Sequence, residues 1–279
     1  MDDLLASLRA HEPGVTRIVL VDDEPDARRL DRHLDDGVEV LPNPRGGRGI
    51  GTLGGTCTAT LAALRRIHDD APGAHVIRLD TDALVIAPFA DRLARALEQR
   101  PDAGVVGSYD RTCNGEPRDF APWADVARRH ARLVWTWRHP PRGGRYVQLA
   151  LTGRLGVVRR EVRAALRHGY QPGEHCLAAA CVVSARMVGA MAQAGMLDDP
   201  ARWLNTRFGD DIMLGVQARA LGLDLVGLVA DGEPFGLRHI GLADRPARLV
   251  ERGFSFIHSV KNDPEMPEDE IRGFFAERR

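Results

Sequence analysis

Lysine is almost absent from this chain. Of 38 basic residues one is lysine, Lys261, and the other 37 are arginine. Such a bias points to a high-GC bacterial gene and makes the single ammonium conspicuous, because Arg and Lys are not interchangeable at a tight anionic site. Cysteine is scarce too: Cys57, Cys113, Cys176 and Cys181 form no Cys-x-x-Cys pair, which argues against a structural zinc site or a disulfide framework. Net charge is nearly lacking, at −1, so no electrostatic case exists for nucleic acid or an acidic membrane as the main partner. No apolar run approaches the roughly 20 residues of a membrane span. The opening MDDLLASLRAHEPG is acidic and amphipathic, without the basic start and apolar core of a signal peptide. A reduced, cytoplasmic protein is the expectation. Its oligomeric state is not legible.

What is present is ample core material. A chain of 279 residues, 44% of them hydrophobic, forms one large α/β domain or two small ones. The most informative stretch is HVIRLDTDALVIAPF, His75 to Phe89. Here an apolar strand runs into Asp80 and Asp82, followed by a second apolar run closed by Pro88. Carboxylates at the rim of a core require a cationic partner. In open α/β sheets, the carboxyl ends of the strands border the ligand crevice. Two aspartates at i and i+2 there can reach one hard cation that also holds phosphate oxygens. The plainer alternative is an acidic loop, with Asp82 capping a turn.

In chain order, Leu4, Leu5 and Leu8 predict a helix over residues 2–10, broken by Pro13-Gly14. RIVLV then predicts a strand leading into VDDEPD. Receiver domains also open with a strand ending in paired acids. Their phosphoacceptor position some thirty residues on falls here in GIGTLGGT, which has no carboxylate, so that reading fails. Asp22 and Asp23 are left as acceptors for a nucleobase or ribose. A strand at Val38–Asn43 precedes a glycine-dense loop that reads equally as a flexible turn or as a phosphate contact in which Arg45 or Arg48 faces a diphosphate. The periodicity Leu53, Cys57, Leu61, Leu64, Ile67 predicts a helix ending near Asp70. A helix over Leu93–Leu97 and a strand over Gly104–Ser108 follow. Residues 110–170 carry Trp123, Trp135, Trp137 and many arginines, read as a solvated helix face with buried tryptophans or as an acceptor-binding segment. CLAAACVVS predicts a buried strand, with a helix through Met187 and Met191 after it. GDDIML opens a further helix with Gly222 just past its end, which sets Asp210 and Asp211 at its N-terminus. One aspartate suffices as a cap, so the second is free to act as a base. FSFIHSVKND places His258 and Lys261 three residues apart, ahead of an acidic tail expected to be peripheral.

Taken together, VDDEPD, the glycine-rich loop over residues 43–55, LDTD, CLAAACVVS and GDDIML, in that order, resemble the pattern of GT-A fold glycosyltransferases, most closely the inverting family 2. The match covers roughly residues 15–230, and the order of parts is more specific than any one motif. The resemblance implies a Rossmann-like α/β fold: a mixed, mostly parallel central sheet flanked by helices, in a single domain. Residues 1–110 would form the donor-binding half. Residues 111–279 would form the acceptor-binding half, with a C-terminal segment completing the metal site. It further implies that Asp22 and Asp23 meet the nucleoside, with Arg48 and Lys261 on the donor side. Asp80 would bind ribose or metal, Asp82 would be the principal ligand of Mn²⁺ or Mg²⁺, and His258 would complete the metal site. Asp211 matches the base of the family's Glu-Asp pair. The chain departs from the family in three places. The usual first strand has no counterpart, which remodels or removes part of the nucleotide pocket. Asp210 stands where Glu is usual, so the base lies between Asp210 and Asp211. The His-then-Lys tail is similar to retaining members, which leaves the stereochemistry open.

The implied activity is transfer of a sugar from a nucleoside-diphosphate sugar to the hydroxyl of a small-molecule or glycan acceptor. Two other classes compete with it. A sugar-phosphate nucleotidyltransferase would open with a Gly-rich loop carrying Arg and Lys, where this chain has VDDEPDARR. A non-catalytic nucleotide-sugar binding module would keep the pocket and show no turnover.

Overall fold

The computed structural model describes residues 1–15, 17–23, 33, 37–46, 54–132, 154–204 and 206–279. Helix α1 (Asp2–His11) buries Leu4, Leu5 and Leu8. Its acidic first turn and basic last turn both complement the helix dipole. Strands β1 (Ile18–Asp22) and β2 (Val38–Pro42) pair in parallel as a two-stranded sheet. Helix α2 (Gly54–Asp70) presents Cys57, Leu61 and Leu64 to the core, as their spacing predicts. Then come β3 (Val76–Leu79), β4 (Leu84–Val85), α3 (Ala90–Gln99) and β5 (Ala103–Gly107). Helices α4 (Ala121–Arg132) and α5 (Arg154–Arg167) precede β6 (Ala180–Val183) and α6 (Ala185–Gln193). A 3₁₀ turn at Pro200–Trp203 leads to α7 (Asp210–Ala220) and β7 (Asp224–Gly227). The chain continues through β8 (Phe235–Leu237), α8 (Pro246–Glu251), β9 (Phe256–His258) and α9 (Glu268–Ala276).

The main sheet has the order β3–β6–β5–β7. β6 is antiparallel to both neighbours, and β5 and β7 are parallel. Because side chains alternate across a strand, this sheet feeds two cores. Val76, Val105, Cys181, Val183 and Leu225 point to one face, covered by α2, α5, α6 and α7 with Met187, Met191, Met213 and Trp203. Ile77, Leu79, Val106, Ala180, Val182 and Val226 point to the other face. There they meet α1, α3, α9 and a three-stranded sheet of order β4–β9–β8, with Phe89, Phe235 and Phe256 at its centre. The second core draws on residues from the two ends of the chain, from Leu4 to Phe275.

The fold is therefore a single mixed α/β domain. The expected mostly parallel central sheet is corrected in detail. The described strands form three sheets, with three parallel pairings (β1–β2, β5–β7, β8–β9) and three antiparallel ones. The insertion of β6 between β3 and β5 accounts for two of the antiparallel pairings, and its apolar composition carries no directional signal; the third joins β4 to β9. The acidic tail is not peripheral either. Helix α9 buries Ile271 and Phe275 in the second core, with its acidic residues in the first turn. Trp123 is 39% exposed, against the expectation of burial, while Trp135 and Trp137 lie outside the described residues. Gly222 ends α7 at φ +72°, the left-handed conformation that glycine adopts without steric cost. No helix among the described residues is long and apolar enough to cross a membrane.

Candidate functional site

Asp80, Asp82 and His258 come together through strand register. β4 begins two residues after Asp82 and pairs antiparallel with β9, Leu84 opposite Ile257. This register carries Asp82 alongside His258 and Ser259, and the N–H of Val260 donates to the carbonyl of Asp82 at 3.1 Å. One oxygen or nitrogen from each of Asp80, Asp82 and His258 lies within 4.8 Å of the others, so the group can hold a metal ion. The Nε2 of His258 is 3.4 Å from Asp82 Oδ1 and 4.0 Å from Asp80 Oδ2. Its Nδ1 lies 2.7 Å from the carbonyl of Arg238. A carbonyl only accepts, so Nδ1 carries the hydrogen and Nε2 is the nitrogen turned to the carboxylates. That is the backbone-oriented imidazole typical of metal ligands. Asp82 is fixed in turn by the Ser259 hydroxyl, which donates to Oδ2 at 2.8 Å.

The electrostatics of this group favour a cation. The hydrogen bond from His258 holds Asp82 well below the usual carboxylate range, against the effect of burial and with help from Ser259 and the charge of Lys261. Burial acts against a charged His258, yet the bonds to Asp82 and to Arg238, with the two carboxylate charges, raise its proton affinity. The field that attracts a proton to this nitrogen would also draw a metal ion.

A second acidic pair stands at the N-terminus of α7, and its two members differ. Asp210 is buried; its Oδ2 accepts from Thr60 Oγ1 at 2.9 Å and lies 2.8 Å from Arg78 Nη2. Asp211 is 27% exposed. Its Oδ1 accepts from the N–H of Ile212 at 2.8 Å. A Cβ on Gly209 would come within 2.6 Å of that oxygen, so the glycine keeps the carboxylate's place open. Burial, then the charge of Asp210, push Asp211 up to about 6, opposed by Ile212, Arg78 and Arg118. One carboxylate is thus consumed by partners, while the other is held near neutrality with a face to solvent. A carboxylate so placed is chemically able to accept a proton from a group within hydrogen-bond reach.

His175 lies 3.5 Å from Asp211, Nε2 to Oδ2, but is no proton donor to it. Its Nδ1 donates to the carbonyl of Gly173 at 2.7 Å, and Nε2 sits 2.8 Å from Arg118 Nη2. A guanidinium only donates, so Nε2 accepts and the ring is neutral. Burial and the charge of Arg118 lower its pKa to about 4, in agreement. Arg118 also donates to the carbonyls of Ser108, Tyr109 and His175.

Arg78 is the residue that sequence reasoning missed. Alternation along β3 turns it to the same face as Val76, towards α2 and α7, and its side chain is 17% exposed. Besides Asp210 it engages Asp80 Oδ1, 2.6 Å from Nη1, and the carbonyl of Ala178. The signal was available: a charged residue at an inward position of an apolar strand has to be paired.

Of the other predicted residues, Lys261 is tied to this cluster through Ser259, and the rest have their own partners or lie outside the described residues. Asp23 is exposed and is bound by Arg45 through Nε and Nη2, and by Asn43 Nδ2 at 2.8 Å. Arg45, expected to face a diphosphate, is thus turned to a carboxylate. Asp22 is buried, and its carbonyl accepts from the N–H of Asn43 at 2.7 Å. Arg48 lies outside the described residues. Lys261 is exposed, one turn of chain beyond Ser259, whose hydroxyl accepts from its N–H at 3.1 Å. Compared with protein-family models, curated proteins and solved structures, the chain matches none of them.

Proposed function

We propose that this protein is a divalent-metal-dependent glycosyltransferase that moves a sugar from a nucleoside-diphosphate sugar to an acceptor hydroxyl, with Asp211 as base. The observation that carries the reading is the convergence of Asp80, Asp82 and the backbone-oriented His258, with Asp82 held by the hydroxyl of Ser259, 177 positions further along the chain. Two carboxylates and an imidazole are hard and borderline donors suited to Mn²⁺ or Mg²⁺. They fit such an ion, and Asp82, Asp80 and His258 would hold it. When bound, the ion supplies electrostatic stabilisation of the charge that builds on the departing diphosphate.

The chain's own residues do the rest. Asp211 takes the proton of the acceptor hydroxyl as its oxygen bonds to the anomeric carbon and the bond to the β-phosphate breaks. Lys261, on the exposed segment after His258, contributes a compact positive charge to the phosphates. Asp22 and Asp23 contact the nucleoside. Asp210, spent on Arg78 and Thr60, holds the helix end rather than the proton. The partition of the acidic pair favours Asp211 over Asp210 as base and the transferase over a binding module, which needs no such group.

Calorimetric titration with a panel of nucleoside diphosphates, each with Mn²⁺ and with EDTA, tests the reading. Metal-dependent binding of one of them, lost in Asp82→Ala, is the expected result. Absence of binding to every nucleotide would overturn it. Release of pyrophosphate from a nucleoside triphosphate would transfer the site to nucleotidyl transfer.

A further inference from the structure

We propose that Arg78 is a positioning residue that couples the Asp80–Asp82–His258 group to the Asp210–Asp211 pair, so that a divalent cation at one is sensed at the other. The inference rests on the metal-binding reading of the first group. A single guanidinium spans the two: Nη1 is 2.6 Å from Asp80 Oδ1, and Nη2 is 2.8 Å from Asp210 Oδ2. Its donors form a rigid planar fork, so a change at one arm is felt at the other. Oδ1 of Asp80 is engaged by Arg78, and it is Oδ2 that lies 4.0 Å from His258 Nε2.

Charge count adds a reason. Among the described residues, Arg78 is a part-buried cation that touches two of the four carboxylates Asp80, Asp82, Asp210 and Asp211, with His258 beside Asp82 and Arg118 behind His175. A divalent ion on Asp80 draws charge from that carboxylate and loosens the first arm of Arg78. More of the guanidinium's field then falls on Asp210 and its neighbour Asp211. By linkage the effect is reciprocal: a change at Asp210 alters the affinity for the ion.

The test is a double-mutant cycle on the full chain, with Mn²⁺ alone as the probe and calorimetry as the readout. Asp210→Asn, outside the metal group, is expected to weaken Mn²⁺ binding about five-fold or more, because the released guanidinium then acts wholly on Asp80. In an Arg78→Met background the same change should leave the Kd within about two-fold, the ordinary error of additivity. Thermal midpoints are recorded alongside, since a merely structural Arg78 lowers them without making the Kd shifts non-additive. Equal shifts in both backgrounds would overturn the coupling while leaving the metal group intact. A wild-type chain that binds no Mn²⁺ would remove both ideas. Should Arg78→Met not fold, Arg78→Lys replaces it: one ammonium reaches one carboxylate at a time, so the Asp210→Asn shift must shrink, and an undiminished shift overturns the proposal.

Discussion

Two strand ends in this protein carry paired acids, and they meet different partners. At the end of β1, Asp23 is held by Arg45 and Asn43, some twenty residues along the chain. Beyond β3, Asp80 and Asp82 are met by His258 and Ser259 from the far end of the chain, and Asp80 also by the part-buried Arg78 of β3 itself. In the first pair a local cation, Arg45, grips the half-exposed Asp23 through two nitrogens, so that carboxylate is already satisfied. The second has an imidazole aimed by the backbone and two carboxylates beside it, an arrangement that can hold a metal ion. A doublet of aspartates after a strand thus says only that a positive partner is required. Where that partner comes from separates a pairing closed within one stretch of chain from one that joins its distant ends.

The largest effect expected from breaking the contrast is at Asp82. Asp82→Ala removes a donor from the group and should abolish both Mn²⁺ binding and sugar transfer, as read by calorimetry and product assay. Asp211→Asn comes next: turnover should fall about 10²–10⁴-fold, the range of general-base contributions, while donor affinity stays nearly unchanged. Retention of most turnover would exclude Asp211 as base. The pH profile sharpens the same point. Since Asp211 sits at about 6, a base that must be ionised loses activity as pH falls through that value, and kcat should decline below it. A profile flat to pH 4.5 would contradict the assignment.

Smaller effects belong to the periphery. Lys261→Ala should weaken binding of the nucleoside diphosphate by about ten-fold, the loss of roughly one charge-assisted contact. Unchanged affinity would reduce that lysine to a surface residue. Smallest of all is Asp23→Ala, expected to lower donor affinity by less than about five-fold and to shift thermal stability modestly, because its two-nitrogen pairing with Arg45, open to solvent on the Asp23 side, contributes on the order of 1 kcal/mol. Complete loss of donor binding in this variant would reverse the ranking of the two strand ends.

Much of the local structure was legible. Leu4, Leu5 and Leu8, or Cys57, Leu61 and Leu64, repeat at the helical period and lie buried on one face of their helices. Gly222 was readable as the residue past the end of α7 and adopts the positive φ that this position requires. The residues of the metal-capable group were legible individually, as an Asp-x-Asp after a strand and a late histidine. Their convergence was expected only from the order of motifs. Arg78 was overlooked because a lone arginine among Val76, Ile77 and Leu79 reads as a flaw in a strand. The tail was misread because its acidic residues outnumber Ile271 and Phe275, although those two decide which way α9 faces.

The sequence by itself determined the mixed α/β composition, the positions of most helices and strands, and which acidic residues demand a partner. Those properties follow from side-chain periodicity and from the cost of stranding a charge at the edge of a core, both local. Tertiary structure alone decided that β6 inserts between β3 and β5, that Asp210 and not Asp211 receives Arg78, and that His258 turns its Nε2 to Asp82. Each of these depends on a register between segments far apart in the chain: Leu84 with Ile257, Leu79 with Ala180. Register is set by how two apolar faces fit when they meet, and neither segment carries that information alone.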